Sequence, residues 1–196
     1  MQQRNHWHGD GVEGNARLTA YAAVILLLPL IVVGITGLIA PHLIRVHVLV
    51  GIVVVPPLLL KLASTGYRFA RYYMNEPQYR AAGPPQVGMR LLAPVLVFLT
   101  VVVFASGLEL WLFGLRFGFA WLPIHHASGL LWIVAALIHV GGYIGRTSRL
   151  AIDDSRDHLR GALTRRGIAI GSLLLGIALA AALLPYSTPF SPAAGG

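Results

Sequence analysis

The run WLPIHHASGLLWIVAALIHVGGYIGR (Trp121–Arg146) contains no acid and no base until its last residue, yet it holds three histidines. At about 1.5 Å per residue it is long enough for a helix crossing a hydrocarbon core about 30 Å thick. Ionisable groups are costly at that depth, so imidazoles there point to a function. Its apolar part, Leu122–Ile144, is one of five such runs. The others are Leu18–Ala40, Val46–Thr65, Leu91–Phe113 and Ile168–Leu184.

The 196 residues are 56% hydrophobic and only 11% charged, with a mean hydropathy of +0.71. That polar surface is too small for a water-soluble domain. The predicted fold is all-α and integral to the membrane: a tail over 1–17, five transmembrane helices over 18–186, and a tail over 187–196. The sequence reveals no internal repeat. A cleavable leader is not expected, since residues 1–17 are polar and the first apolar run is too long for a signal-peptide core.

A net charge of +8 raises the question of nucleic acid, but the distribution of arginines answers it. Arg4, Arg17, Arg68, Arg71, Arg80, Arg90, Arg146, Arg149, Arg156, Arg160, Arg165 and Arg166 flank one side of the predicted bundle, and Arg45 and Arg116 the other. That asymmetry is a positive-inside signal. It predicts a cytoplasmic N-terminus in a multi-pass protein of the cell membrane, with lipid as partner and no nucleic acid. Trp111 and Trp121 then fall at the outer interface and Tyr67, Tyr72 and Tyr73 at the inner one. Cysteine is absent, which excludes thiol chemistry, iron–sulfur ligation by this chain and covalent haem attachment through Cys-x-x-Cys-His.

His6, His8 and His158 lie in polar segments and read as solvated. His42, His47, His125, His126 and His139 lie on the second and fourth helices or at their entrances. His125 and His139 are fourteen residues apart, a rise of about 21 Å and about 40° short of four turns, so both imidazoles share a face. His126 is turned away from that face. His47 and Lys61, on the second helix, are also fourteen residues apart. The two helices run in the same direction, so His47 is level with His125 and Lys61 with His139. Pro56 and Pro57 lie between His47 and Lys61, where a kink is expected. Two pairs of nitrogen donors at two depths could hold two stacked metal centres. Gly51 and Gly129, each four residues after a histidine, bare the helix beside it, as a flat ligand such as a porphyrin requires. Gly141 and Gly142 have the same expected use near His139; close helix packing is the alternative for all four.

With "HVLVG" and "HHASGLLWIVAALIHVGG", the segment Val46–Arg149 resembles the membrane cytochrome b subunits of formate dehydrogenases and nickel–iron hydrogenases. The resemblance implies a cytochrome b-type bundle with two b haems, one near each surface. It makes His125 and His139 axial ligands, with His47 opposite His125. The departure from that pattern is Lys61, the chain's only lysine among fourteen arginines, standing where a histidine is expected. A neutral amine can bind ferric iron, so Lys61 is the expected fourth ligand. Snorkelling to the inner headgroups, pairing with a haem propionate, and completion of the inner centre by His6 or His8 are the alternatives. Arg45 and Arg116 outside, and Arg68, Arg71 and Arg146 inside, are candidate propionate partners.

The expected function is electron relay between an extracytoplasmic oxidoreductase or electron carrier and quinone or a second partner, as a subunit rather than a self-contained enzyme. Homodimerisation stays open. Glu109 reads as interfacial, with proton acceptance at an outer quinone site as the alternative; His42 and His126 read likewise. Two other functions compete: a haem-free transporter or assembly subunit, and a single-haem cytochrome using only His47 and His125.

Overall fold

The computed structural model describes residues 10–39, 43–84, 86–115, 120–156 and 161–186. Five long helices account for nearly all of them: α1 (Asp10–Ile39), α2 (Ile44–Tyr73), α4 (Val87–Phe113), α5 (Trp121–Arg156) and α6 (Ala162–Ala182). All five are long and apolar enough to cross a membrane. Every predicted span is present, and each helix starts before its predicted limit, while α2 and α5 also run past theirs and α6 ends two residues short, at Ala182. α1 starts eight residues before Leu18, so Arg17 lies within it rather than ahead of it. Arg17 is only 6% exposed, and it forms an i, i+4 ion pair of 2.5 Å with Glu13. The sequence did not predict the short helix α3 (Pro77–Ala81) or the single 3-10 turn at Leu184–Tyr186.

Pro29, Pro56, Pro57 and Pro94 all lie inside helices that continue through them. In water an interior proline costs a helix about 3 kcal/mol. In a membrane bundle neighbouring groups take up the freed carbonyls, and lipid offers the backbone no other partner.

Large apolar side chains face outward: Leu28 is 70% exposed, Phe98 65% and Leu163 83%. This is the pattern of a multi-pass membrane protein whose solvent is lipid. The small interior is built largely from Ala, Ser and Thr. Small residues let backbones approach, which is how helices associate when burial of apolar area is no driving force. The tightest crossing is between α6 and α2, where Gly176 lies against the backbone of Val53.

α1 packs on α2, α5 and α6; α2 packs on α6; α4 packs on α5. α2 and α5 do not pack closely on each other. Polar contacts fix the directions. Thr36 meets His47, and Thr19 meets Ser64 (2.8 Å), so α1 and α2 are antiparallel. Ser106 meets His125, and Trp132 Nε1 donates to Thr100 Oγ1 (2.8 Å), so α4 and α5 are antiparallel too. Gly34 faces Ile133 while the Tyr21 hydroxyl lies 3.3 Å from the Ala151 carbonyl, which sets α5 against α1. α2 and α5 therefore run in the same direction. Arg166 donates to the Tyr21 hydroxyl (3.0 Å), and Trp111 Nε1 to the Tyr186 carbonyl (2.7 Å), which orients α6 along α1 and α4. The bundle thus has a His47 end and an Arg68 end.

At the Arg68 end, α3 is clasped under α2. Tyr79 is buried with its ring 6.0 Å from that of Tyr67, Arg71 Nε donates to the Tyr67 hydroxyl (3.0 Å), and Arg80 bonds Asn75 (2.7 Å). Asn75 takes the left-handed backbone (φ 62°) that turns the chain out of α2, a conformation asparagine tolerates well. Burial, and then the neighbouring Tyr67 phenol, push the Tyr79 hydroxyl above its ordinary value.

Candidate functional site

His47 and His125 enter from α2 and α5 and meet at one depth. Their ring centres are 6.0 Å apart, with planes at 86°. An imidazole–metal bond is about 2.0–2.1 Å, and a ring nitrogen lies just over 1 Å from its ring centre, so two imidazoles sharing one metal have centres about 6.3 Å apart. The observed spacing fits a shared centre.

Each ring is held by the same local device. On α1, the His47 Nδ1 lies 3.0 Å from the Val33 carbonyl and 3.3 Å from the Thr36 hydroxyl. On α4, the His125 Nδ1 lies 3.1 Å from the Val103 carbonyl and 3.1 Å from the Ser106 hydroxyl. Each hydroxyl also lies within donating distance of a carbonyl one turn back, Thr36 to Val32 at 2.8 Å and Ser106 to Val102 at 2.7 Å. With its proton engaged there, the hydroxyl can only accept from the imidazole. The carbonyl can only accept as well. Both rings must therefore carry their proton on Nδ1, which leaves the Nε2 lone pair free for a metal. Metal-binding histidines are oriented and tuned by this kind of bond.

The glycine after each hydroxyl completes the device. A methyl group built on Gly37 would lie 3.0 Å from His47 Cε1, and one built on Gly107 3.0 Å from His125 Cε1. A side chain at either glycine would press on the ring, which would have to give by a few tenths of an ångström. At Gly51 and Gly129 the situation is the reverse: a methyl group on either would meet no atom within 4 Å. The helix faces beside the two histidines are open, as a flat ligand needs. Of the inner glycines, Gly141 is open too. Gly142 is not; it receives the Met89 side chain and serves α4–α5 packing rather than a ligand.

These contacts reveal an internal repeat that was not expected from the sequence. IVVGITG (31–37) on α1 matches VVVFASG (101–107) on α4, each ending in the Val-Val-x-x-Ser/Thr-Gly seat. His47, Gly51 and Lys61 on α2 match His125, Gly129 and His139 on α5 at identical spacing. The two hairpins run in the same sense, as parallel repeats do about an axis along the membrane normal. The loops hid this relation, since the seat precedes its histidine by 14 residues in one hairpin (Val33 to His47) and 22 in the other (Val103 to His125).

Lys61 and His139 are the repeat-related pair one level further in. The His139 Nδ1 is buried with no hydrogen-bond partner, and its ring lies 4.9 Å from that of Tyr143. On α1, beside Lys61, a polar cluster ties the two helices. The Ser64 hydroxyl bonds the Lys61 carbonyl (3.0 Å), and Asn15 Nδ2 donates to the Ser64 carbonyl (3.0 Å). Beyond them Arg68 is half-buried. Arg68 on α2 and Arg146 on α5 put one guanidinium on each helix at this end of the bundle, an arrangement that favours an anion. Arg45 and Arg146 are exposed at opposite ends.

Glu109, expected at the interface, has both carboxylate oxygens buried and without a hydrogen-bond partner. His126 is exposed, its ring 6.5 Å from that of His125 and outside the pair. His6, His8, His42, His158 and Arg116 lie outside the described residues. Among the described residues no group of three or more His, Cys, Asp or Glu converges, so the donors come as pairs. No family model, curated protein or solved structure matches the chain.

Proposed function

We propose that the chain is a membrane b-type cytochrome that relays electrons through two b haems, one held by His47 and His125 and the other by Lys61 and His139. The observation that carries this reading is the outer pair. Two imidazoles on separate helices have their Nδ1 protons committed to carbonyls, and their ring centres are 6.0 Å apart. The haem iron, when bound, supplies one-electron oxidation and reduction. The chain's own work is ligation, orientation and exclusion of water.

His47 and His125 present Nε2 as axial donors, and Gly51 and Gly129 leave room beside them. Lys61 stands at the repeat position of a histidine, which favours ligation over snorkelling. Arg68 and Arg146 balance the propionates of the inner group. In this reading the His47 end faces the extracytoplasmic side, where an oxidoreductase or electron carrier docks. Quinone or a second partner takes the electrons at the other surface. The arginine asymmetry supports that orientation, with the N-terminus in the cytoplasm of a cell-membrane protein.

Single-ligand variants test the assignment. His47→Ala and His125→Ala should each lose the same one of two low-spin haems, and His139→Ala the other. Lys61→Met should convert the inner haem to a different spin state or ligand spectrum; an unchanged inner spectrum rejects the lysine. A single haem, insensitive to His139→Ala, favours the single-haem cytochrome instead.

A further inference from the structure

We infer that Thr36 and Ser106 are a matched pair of positioning residues, one from each repeat, that lock the outer axial imidazoles perpendicular to one another and fix their proton on Nδ1. This rests on the haem reading above. The seats at 32–37 and 102–107 share no loop length and no neighbouring sequence beyond valines, hydroxyl and glycine. Yet each delivers one carbonyl and one hydroxyl oxygen to one Nδ1, at 3.0 and 3.3 Å in the first and 3.1 and 3.1 Å in the second.

A carbonyl alone would fix the tautomer but would leave the ring free to swing about the single bond between them. The hydroxyl is a second acceptor on the same N–H, and a bifurcated bond favours the ring orientation that aims Nδ1–H between the two oxygens. The glycine closes the other side, with a methyl group there meeting Cε1 at 3.0 Å in both seats. Ser106 is fully buried, and Thr36 is 4% exposed, so neither hydroxyl has water as an alternative partner. The product is an interplanar angle of 86°. No such seat holds His139, whose Nδ1 has no partner, so the device belongs to the outer pair.

The consequence is electronic. Perpendicular imidazole planes donate equally to the two iron d orbitals that accept π density, leaving them nearly degenerate. A ferric low-spin centre of that kind gives one broad, high-g resonance instead of three resolved ones. Shared donation from Nδ1–H also makes the imidazole more electron-rich and favours the ferric state.

The test is low-temperature electron paramagnetic resonance and redox titration of the purified full chain carrying Thr36→Val, Ser106→Ala, Thr36→Ser or Ser106→Thr. Wild type should show a high-g resonance for the outer centre. Thr36→Val and Ser106→Ala should each move that resonance toward lower g and raise one of the two midpoint potentials, leaving the other in place. The conservative exchanges should restore both wild-type values. Loss of the outer haem in Thr36→Val with retention in Thr36→Ser would also support the seat. Unchanged resonance and potential in both hydroxyl-free variants, or equal shifts of the two centres, would overturn the inference. If a variant does not fold, Gly107→Ala serves in its place and should move the same resonance. A wild-type protein without haem would instead refute the cytochrome reading itself, and the two failures are thereby distinct.

Discussion

At the residue scale, the pattern His-x-x-x-Gly carries the site, and the glycine is its sharpest test. Gly51 and Gly129 have open space where a side chain would begin, so packing does not explain them. A larger residue should fold normally and still keep a flat ligand out. Gly51→Leu and Gly129→Leu are expected to leave helical circular dichroism unchanged while haem content falls by about half. Retention of full haem in both would mean the open faces serve lipid alone. That His47 and His125 meet was legible in the sequence, because each lies fourteen residues, a near-integral number of helical turns, from its counterpart on one of two co-directional helices. Thr36 and Ser106 were not legible. A hydroxyl in an apolar helix ordinarily bonds its own backbone one turn back, and only the neighbouring helix reveals the second contact. The burial of the Glu109 carboxylate was not legible either: nearness to a helix end does not say which neighbours cover the side chain.

At the scale of elements, the five spans could be read directly, since apolar length is a one-dimensional property. Their packing partners could not, because a stripe of small residues marks a contact face without saying which helix it meets. Gly176 illustrates this. In sequence it is one of several glycines on α6; in the fold it is where α6 touches the backbone of α2 at Val53. Gly176→Ala should force those helices apart, at a cost of about 1–3 kcal/mol, seen as a lower thermal midpoint in detergent. Gly142→Ala meets only the end of the flexible Met89 side chain and should cost less; equal losses for the two would show that α2 and α6 are not in backbone contact. The α3 clasp has its own pH signature. Burial holds the Tyr79 phenol above its ordinary value of 10.0, so the folded state prefers the protonated form. That stabilisation is whole below about pH 10 and is lost as pH rises through the higher folded value. Protection of the residue 77–81 amides, taken as their exchange rate relative to the unfolded peptide at the same pH, should therefore fall at high pH in wild type. Tyr79→Phe, with no proton to lose, should abolish that dependence; an undiminished one would place its origin elsewhere.

At the scale of the whole molecule, two antiparallel hairpins repeat one plan. Each places a helix with a Val-Val-x-x-Ser/Thr-Gly seat beside a helix with a histidine. α1 packs on both ligand helices, α6 backs α2, and α2 and α5 remain apart although their histidines meet. A bundle held together only by lipid exclusion would be expected to close that gap with paired apolar side chains. The duplication also gives Lys61 a rationale beyond its scarcity, since it stands at the repeat position of His139 one level below the outer pair. The arginine asymmetry is the ground for the proposed orientation, with the His47 end outside. The central claim is that these two levels of paired nitrogens each hold a tetrapyrrole. Its most direct measurement is the haem content of the purified wild-type chain, read as the dithionite-reduced pyridine haemochrome against protein mass. Two haems b per chain is the predicted result, and a chain without haem would contradict the account.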